Sequence, residues 1–313
     1  MNTIQVQSPG LQTTVQDLGR QGFGPIGVSP SGAADPISLR LGNRLVGNDE
    51  SAAGLEMMLL GGTFVFPQGA IVALAGSDFG AKLDDVRVDV GVSMHVGSGQ
   101  TLRLGPTTSG ARCYLCVQGG IVVRPFLGSA STHILSGLGG FEGRPLLKGD
   151  VLRIGRASKR FRKRTMAWQA FENLSRRKIL RATPGPQADW YSEKSRRAFY
   201  AGTYRVGEQS NRMGLRLEGV AISQLGAGEM ITEGVSLGAI QAPAGGAPII
   251  LFVEQQTTGG YPKIANVISA DLHRVGQLRP RDEIRFEQVT FDEARSLLIE
   301  QEKLLASREL ILE

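Results

Sequence analysis

Residues 254–266 read EQQTTGGYPKIAN and follow directly on the apolar run APIILFV. A plain hairpin needs only about two to five turn residues with one suitable glycine. Here Thr257, Thr258, Gly259, Gly260, Tyr261 and Lys263 crowd into one connection. Successive glycines let backbone N–H groups approach a ligand and form an anion-binding concavity, and hydroxyl and ammonium donors add to it. That donor set suits a carboxylate, a phosphate, or a carbonyl oxygen acquiring charge.

Three further clusters combine glycine with polar side chains. TTVQDLGRQGFGPIGVSPSGAAD carries Asp17, Arg20, Ser31 and Asp35; LGSASTHI carries Ser129, Ser131 and Thr132; SNRMGLRLEG carries Ser210, Asn211, Arg212 and Arg216. Each also reads as a loop held by side-chain-to-backbone hydrogen bonds. Asp35, ahead of Pro36, reads as a helix N-cap, and Arg216 as a partner for Glu218 or solvent. Arg20 and Arg212 lie in glycine-bearing loops, where a planar guanidinium can offer its fork to a carboxylate or phosphate.

Several familiar chemistries are missing. No G-x-x-x-x-G-K-[S/T] occurs, and GLGGFEGR at 137–144 fails the G-x-G-x-x-G spacing. The three histidines, 95, 133 and 273, form no close pair, so no metal site is expected. No Ala-Met-Lys-Met-like stretch offers a lysine for biotin, so no biotin is expected on this chain. Cys113 and Cys116 have C-x-x-C spacing, but residues three apart in a strand face opposite ways, so two buried thiols are expected rather than a redox or zinc pair. The N-terminus lacks a charged start followed by an apolar core, and no run approaches the roughly 20 residues of a membrane span. A cytoplasmic location is the expectation.

The elements that must position these residues are mostly strands. The 42 glycines punctuate short apolar runs such as GTFVF, AIVALAG, QTLRLG, CYLCVQ, DVLRIG, APIILFV and DEIRF, the signature of strands and tight turns. Helices are expected after Asp35, after Asp189 (WYSEKSRRAFY), and at the end, where Thr290 and Glu293 have capping-box spacing ahead of an amphipathic run. PGLQ at 9–12 echoes PGPQ at 184–187, and DVLR at 150–153 echoes DEIR at 282–285, in the order of a tandem duplication. The net charge of +6 is local: residues 156–178 hold nine Lys or Arg against Glu172, leaving 26 basic and 28 acidic residues elsewhere, a balance of −2. That reads as a solvated connector rather than a nucleic-acid surface. The expected organisation is a first β half at 1–155, a basic connector at 156–177, a second β half at 178–289 and a C-terminal helix at 290–313.

Taken in order, these motifs, with LVGNDESAAGLE, GRPLLKGDVL, GAIQAPAGGAPIIL and QQTTGGYPKIANVISADLHRVGQLRP, resemble the allophanate hydrolase subunit 2 family from about residue 3 to residue 287. That family includes the C subunit of bacterial 5-oxoprolinase and the carboxyltransferase part of urea carboxylase. This chain has GVSPSGAAD where members often have GVPxSGAMD, and Cys116 where they often have Ala. The resemblance implies two tandem cyclophilin-like β-barrel domains, a B subunit of related fold, and an A subunit that finishes the reaction. That reaction turns 5-oxoproline, ATP and water into glutamate, ADP and phosphate. ATP with magnesium is thus the expected co-substrate. The B and C subunits would phosphorylate the lactam oxygen, making it a leaving group, and the A subunit would support hydrolysis.

On this reading Lys263, Arg212, Thr258 and Tyr261 are candidates for the chemistry, with Lys263 and the loop N–H groups holding the charge created. Arg20, Ser31, Ser131, Thr132, Ser210, Thr257, Gly259 and Gly260 are candidates for binding, Arg212 or Arg20 taking the substrate carboxylate. Two other readings stand beside it. One is the carboxyltransferase part of a biotin-dependent carboxylase acting on urea or a small amide, with the biotin on another chain. The other is a regulatory binding module opposing a kinase inhibitor.

Overall fold

The computed structural model describes residues 2–157, 161–168, 178–226, 230–243 and 245–313. Of the basic connector expected at 156–177, residues 158–160 and 169–177 lie outside the described residues. The protein is mainly β, as its glycine-punctuated apolar runs imply, and divides into two compact units. One comprises Met1–Arg20, Ser31–Asn173 and Ser307–Glu313; the other comprises Gln21–Pro30 and Leu174–Ala306.

In the first unit most strands fall in two sheets, while Thr165–Met166 and Ile311–Leu312 pair apart from them. Seven strands run in the order Ile121–Val122, Val151–Ile154, Thr3–Ser8, Thr63–Val65, Thr101–Arg103, Lys82–Leu83 and Val86–Arg87. Five more run Thr13–Gln16, Gly54–Met58, Arg112–Val117, Ala70–Gly76 and Ser93–Val96. Ile4, Val6, Leu55, Phe64, Leu74, Leu102, Leu115 and Leu152, alternating along their strands, meet in one core. Arg112–Val117 is buried on both faces because helix α1 (Pro36–Val46) packs on its other side. As expected, Pro36 opens α1 and Asp35 caps it, accepting from the Ser38 N–H at 3.0 Å. Cys113 and Cys116 are free and fully buried, and burial pushes both thiols well above their ordinary titration range.

The second unit closes as a seven-stranded barrel. Its order is Ile179–Pro184, Lys263–Val267, Ala239–Gln241, Ile249–Leu251, Gly214–Glu218, Thr203–Val206 and Glu283–Gln288, the last returning to pair in parallel with the first. Helix α2 (Glu193–Ala201) seals it through Phe199, which stacks on Phe286 at 4.7 Å between ring centres. Its cap is Ser192, accepting from the Ser195 N–H at 3.1 Å. Asp189, the cap expected from the sequence, sits one turn earlier in a 3-10 turn, Ala188–Trp190. Helix α3 (Phe291–Ala306) begins in the expected capping box, with Glu293 accepting from the Thr290 N–H at 2.7 Å and Thr290 Oγ1 from the Glu293 N–H at 3.2 Å.

Both internal echoes correspond to repeated devices. In PGLQ and PGPQ the glycine follows a strand and presses on a backbone carbonyl: a Cβ on Gly10 would lie 2.3 Å from Leu60 O, and one on Gly185 2.2 Å from Lys263 O. The aspartates of DVLR and DEIR close the same turn. Asp150 accepts from the Leu147 N–H at 2.7 Å and Asp282 from the Arg279 N–H at 2.8 Å. The residue before each, Gly149 and Arg281, has φ of 96° and 71°, and its N–H reaches Val6 O and Val206 O respectively. The turns repeat but the strand pairing does not: Val151–Ile154 runs antiparallel to Thr3–Ser8, whereas Glu283–Gln288 runs parallel to Ile179–Pro184.

Candidate functional site

Lys263 begins the strand that follows the glycine-rich connection, and it is almost wholly enclosed, 2% exposed. A buried ammonium needs a counter-charge. Lys263 Nζ donates to Glu233 Oε1, with Met230 Sδ at 3.9 Å. Gln187 completes the group by donating from Nε2 to the same Glu233 oxygen at 3.0 Å, while its Oε1 accepts from the Lys263 N–H at 3.1 Å. The turn at Gly185 brings Gln187 there, since only a residue without Cβ permits its approach to Lys263 O. Glu233 retains 43% side-chain exposure. The Lys263 hydrogen bond first, and that of Gln187 second, hold its carboxyl below the ordinary value of 4.5, so it is an anion presented to solvent beside a buried cation.

The connection itself is held by pairing with a distant segment. Thr258–Gly259 forms a two-stranded ladder with Glu233–Gly234, Gly259 opposite Glu233 and Gly234 opposite Thr258, and Thr257 O accepts from the Val235 N–H at 3.1 Å. Gly259 is buried, while Thr258, Gly260 and Tyr261 are exposed, Tyr261 by 49%. A Cβ on Gly259 would lie 2.7 Å from Gln241 Nε2 and 3.0 Å from Gln256 Nε2. Gln241 is the register partner of Lys263 on the next barrel strand, 1% exposed, and its Nε2 has no hydrogen-bond partner. An enclosed N–H donor without an acceptor is costly to maintain. Glu233, Gln187 and Gln241 escape sequence reasoning because each is a lone polar residue in a different segment. The available signal was weak: Gln241 interrupts GAIQAPAGG, and Gln187 lies in the repeated PGPQ.

The arginine cluster of this unit has a different employment. Arg212, 5% exposed, pairs through Nε with Glu254, whose side chain is fully enclosed. Ser210 Oγ accepts from the Arg216 N–H at 3.1 Å and Asn211 Oδ1 from the Met213 N–H at 2.8 Å, so both shape their own turn. Arg212 therefore anchors the start of the 254–260 connection, and no carboxylate is needed to explain it.

The two clusters of the first unit come together. Asp17 accepts from Ser129 Oγ at 2.6 Å, Ser131 Oγ at 2.5 Å and the Ala130 N–H at 2.6 Å. Ser31 Oγ donates to Thr132 O at 2.8 Å, and Thr132 Oγ1 to Val15 O at 3.0 Å. Arg20, 2% exposed, donates to the carbonyl oxygens of Ser131 and Phe126 and lies over the Phe126 ring at 5.4 Å. This is a polar knot that fixes the 126–132 loop; Arg20 and Lys263 belong to different units. Among the described residues no three His, Cys, Asp or Glu side chains gather to hold a metal ion, and no helix is long and apolar enough to cross a membrane.

The family model for the carboxyltransferase domain, subdomain A and B, matches residues 26–288, which include all of the Lys263 site. The chain belongs to that carboxyltransferase family. It is 39% identical to the C subunit of 5-oxoprolinase from Escherichia coli over 96% of each chain, and 36% identical to that from Haemophilus influenzae over 94% of each. The crystal structure of the Kluyveromyces lactis urea amidolyase superposes with a TM-score of 0.91 at 32% identity, covering 99% of this carboxyltransferase chain but only 21% of that one. The resemblance carried by the sequence motifs thus holds along nearly the whole chain.

Proposed function

We propose that this carboxyltransferase-family chain is the C subunit of an ATP-dependent 5-oxoprolinase, and that it binds the lactam at the Glu233–Lys263 pair. The observation that carries the reading is a solvent-facing carboxylate held ionised by an enclosed lysine, beside the unsatisfied N–H of Gln241. Near full-length similarity to two chains named as the C subunit of 5-oxoprolinase supports it.

A lactam oxygen is a weak nucleophile. A carboxylate accepting the ring N–H pushes density onto that oxygen, and Glu233 is placed and charged for this. In the proposed step the lactam oxygen forms a bond to the γ-phosphorus of ATP and the bond from that phosphorus to the β–γ bridging oxygen breaks. ADP leaves, and the ring N–H proton passes to Glu233. Lys263 keeps Glu233 anionic beforehand, while Gln241 and the 257–260 backbone orient the substrate. Positioning and electrostatics dominate such transfers. ATP with its magnesium is the co-substrate this reading requires, and the B and A subunits of the same enzyme are the partners.

The urea amidolyase likeness favours a second reading, carboxyl transfer to urea, in which Glu233 would accept a urea N–H. ADP release by this chain with its partner subunits separates the two. Stimulation by 5-oxoproline that requires this chain supports the first. Stimulation only by urea with bicarbonate and a biotinylated partner supports the second and refutes the first.

A further inference from the structure

The basic segment has no part in that chemistry, yet its alternate side chains go to defined places. Arg162 and Arg164 line one cavity, of about 690 Å³, while Phe161 and Lys163 line another. The 690 Å³ cavity lies wholly within the first unit and also takes Arg44 from the last turn of α1, Arg308, and Glu313. Four guanidinium groups thus line the cavity with the Glu313 side-chain carboxylate, and Arg44 Nε also lies 3.9 Å from Glu50 Oε1. Three of the four are oriented by contacts in the protein. Arg44 Nη2 donates to Ser307 O at 2.8 Å, and Arg164 Nη1 to Arg44 O at 3.0 Å, close over Gly47, where a Cβ would be 3.1 Å away. Arg162 and Arg164 both grip Glu313, at 3.1 and 2.9 Å. Arg162 and Glu313 remain 71% and 49% exposed, so that clasp opens to solvent.

We propose that this cavity is a binding site for a small polyanion carrying phosphate groups, and that the Glu313 carboxylate holds the anion's place until it arrives. When the Glu313 carboxylate yields, the Arg162 and Arg164 donors that hold it pass to the oxyanion, and planar bidentate pairing suits phosphate oxygens. A cavity of this volume admits a molecule larger than a single phosphate ion. The residues lie outside the Glu233–Lys263 site, so the inference stands independently of the proposed reaction.

Calorimetric titration of the full chain with pyrophosphate, ATP and citrate tests it, at one fixed salt concentration near physiological. Saturable binding of pyrophosphate is expected. The Arg162→Glu/Arg308→Glu double variant weakens it about tenfold or more, and Glu313→Gln, which removes the internal competitor, tightens it several-fold. ATP binding with the same dependence on both variants identifies a nucleotide as the source of the phosphates, and pyrophosphate binding alone a smaller phosphate. Citrate binding as tightly as pyrophosphate overturns the phosphate assignment. No saturable binding of any probe, or affinities untouched by either variant, overturns the site. The substituted side chains are exposed, and an unchanged circular dichroism spectrum confirms that the variants fold.

Discussion

Glu233 governs the proposed site, and its titration gives the account a pH signature. Its folded-state pKa lies below 4.5 because Lys263 and Gln187 favour the anion. A depressed carboxyl contributes stability that is fully present above the unfolded value and is lost as pH falls through the folded one. The stability difference between the protein and Glu233→Gln, measured by urea denaturation, is therefore expected to be constant near neutrality and to shrink once the pH drops below 4.5. A difference independent of pH down to the acid transition would show that the pair is not ionic. Glu254→Gln addresses an enclosed pair: it leaves Arg212 buried against a neutral partner and is expected to cost about 3 kcal/mol by the same denaturation. A loss under about 1 kcal/mol would mean that solvent or other groups compensate Arg212. Lys263 and its connection were legible in the sequence as a cluster of donors. Its acceptor was not, because Glu233 and Gln187 reach it only through the ladder with Thr258–Gly259 and the turn at Gly185.

At the scale of elements, the repeated turn before the last strand of each half carries a testable strain. Gly149 and Arg281 hold the same left-handed position, which is free for glycine and costs other residues about 1 kcal/mol. Arg281→Gly is expected to raise stability by about that much, reduced slightly by loss of the exposed Arg281–Glu208 pair at 2.7 Å. An unchanged or lower melting temperature would deny the strain. Helix α1 meets its strand through the same economy of side chains: a Cβ on Gly42 would lie 2.7 Å from Cys116 Sγ and 3.2 Å from Ala75 Cβ. Gly42→Ala is expected to destabilise by about 1–3 kcal/mol despite the better helix former. Cys116→Ala in the same chain should recover a large part of that loss, a coupling a double-mutant cycle measures. Additive effects would show that α1 shifts to make room. The helix at Asp35 and the box at Thr290 were legible from their caps. At Asp189 two capping residues compete three positions apart, and Ser192 wins because it immediately precedes the helical run EKSRRAFYA.

Across the whole molecule, the faint echoes that suggest duplication correspond to repeated turns without a repeated sheet. Four-residue echoes became matching turns and matching glycine approaches, while the sheets built around them differ: a closed barrel in one unit, and sheets of seven, five and two strands in the other. Closure depends on long-range pairing that no local pattern encodes, such as the parallel return of Glu283–Gln288 to Ile179–Pro184. Family membership ties this architecture to chains named as subunits, and the reaction proposed here is one for an assembled complex. Its central claim is that Glu233 accepts the ring N–H of a lactam. The direct measurement is 5-oxoproline-dependent ADP release by the complex assembled with Glu233→Gln, its assembly verified by gel filtration. A fall in kcat of about a hundredfold or more is expected, since a neutral amide cannot take the proton. Turnover at the rate of the unsubstituted complex would contradict the claim and move the chemistry away from this site.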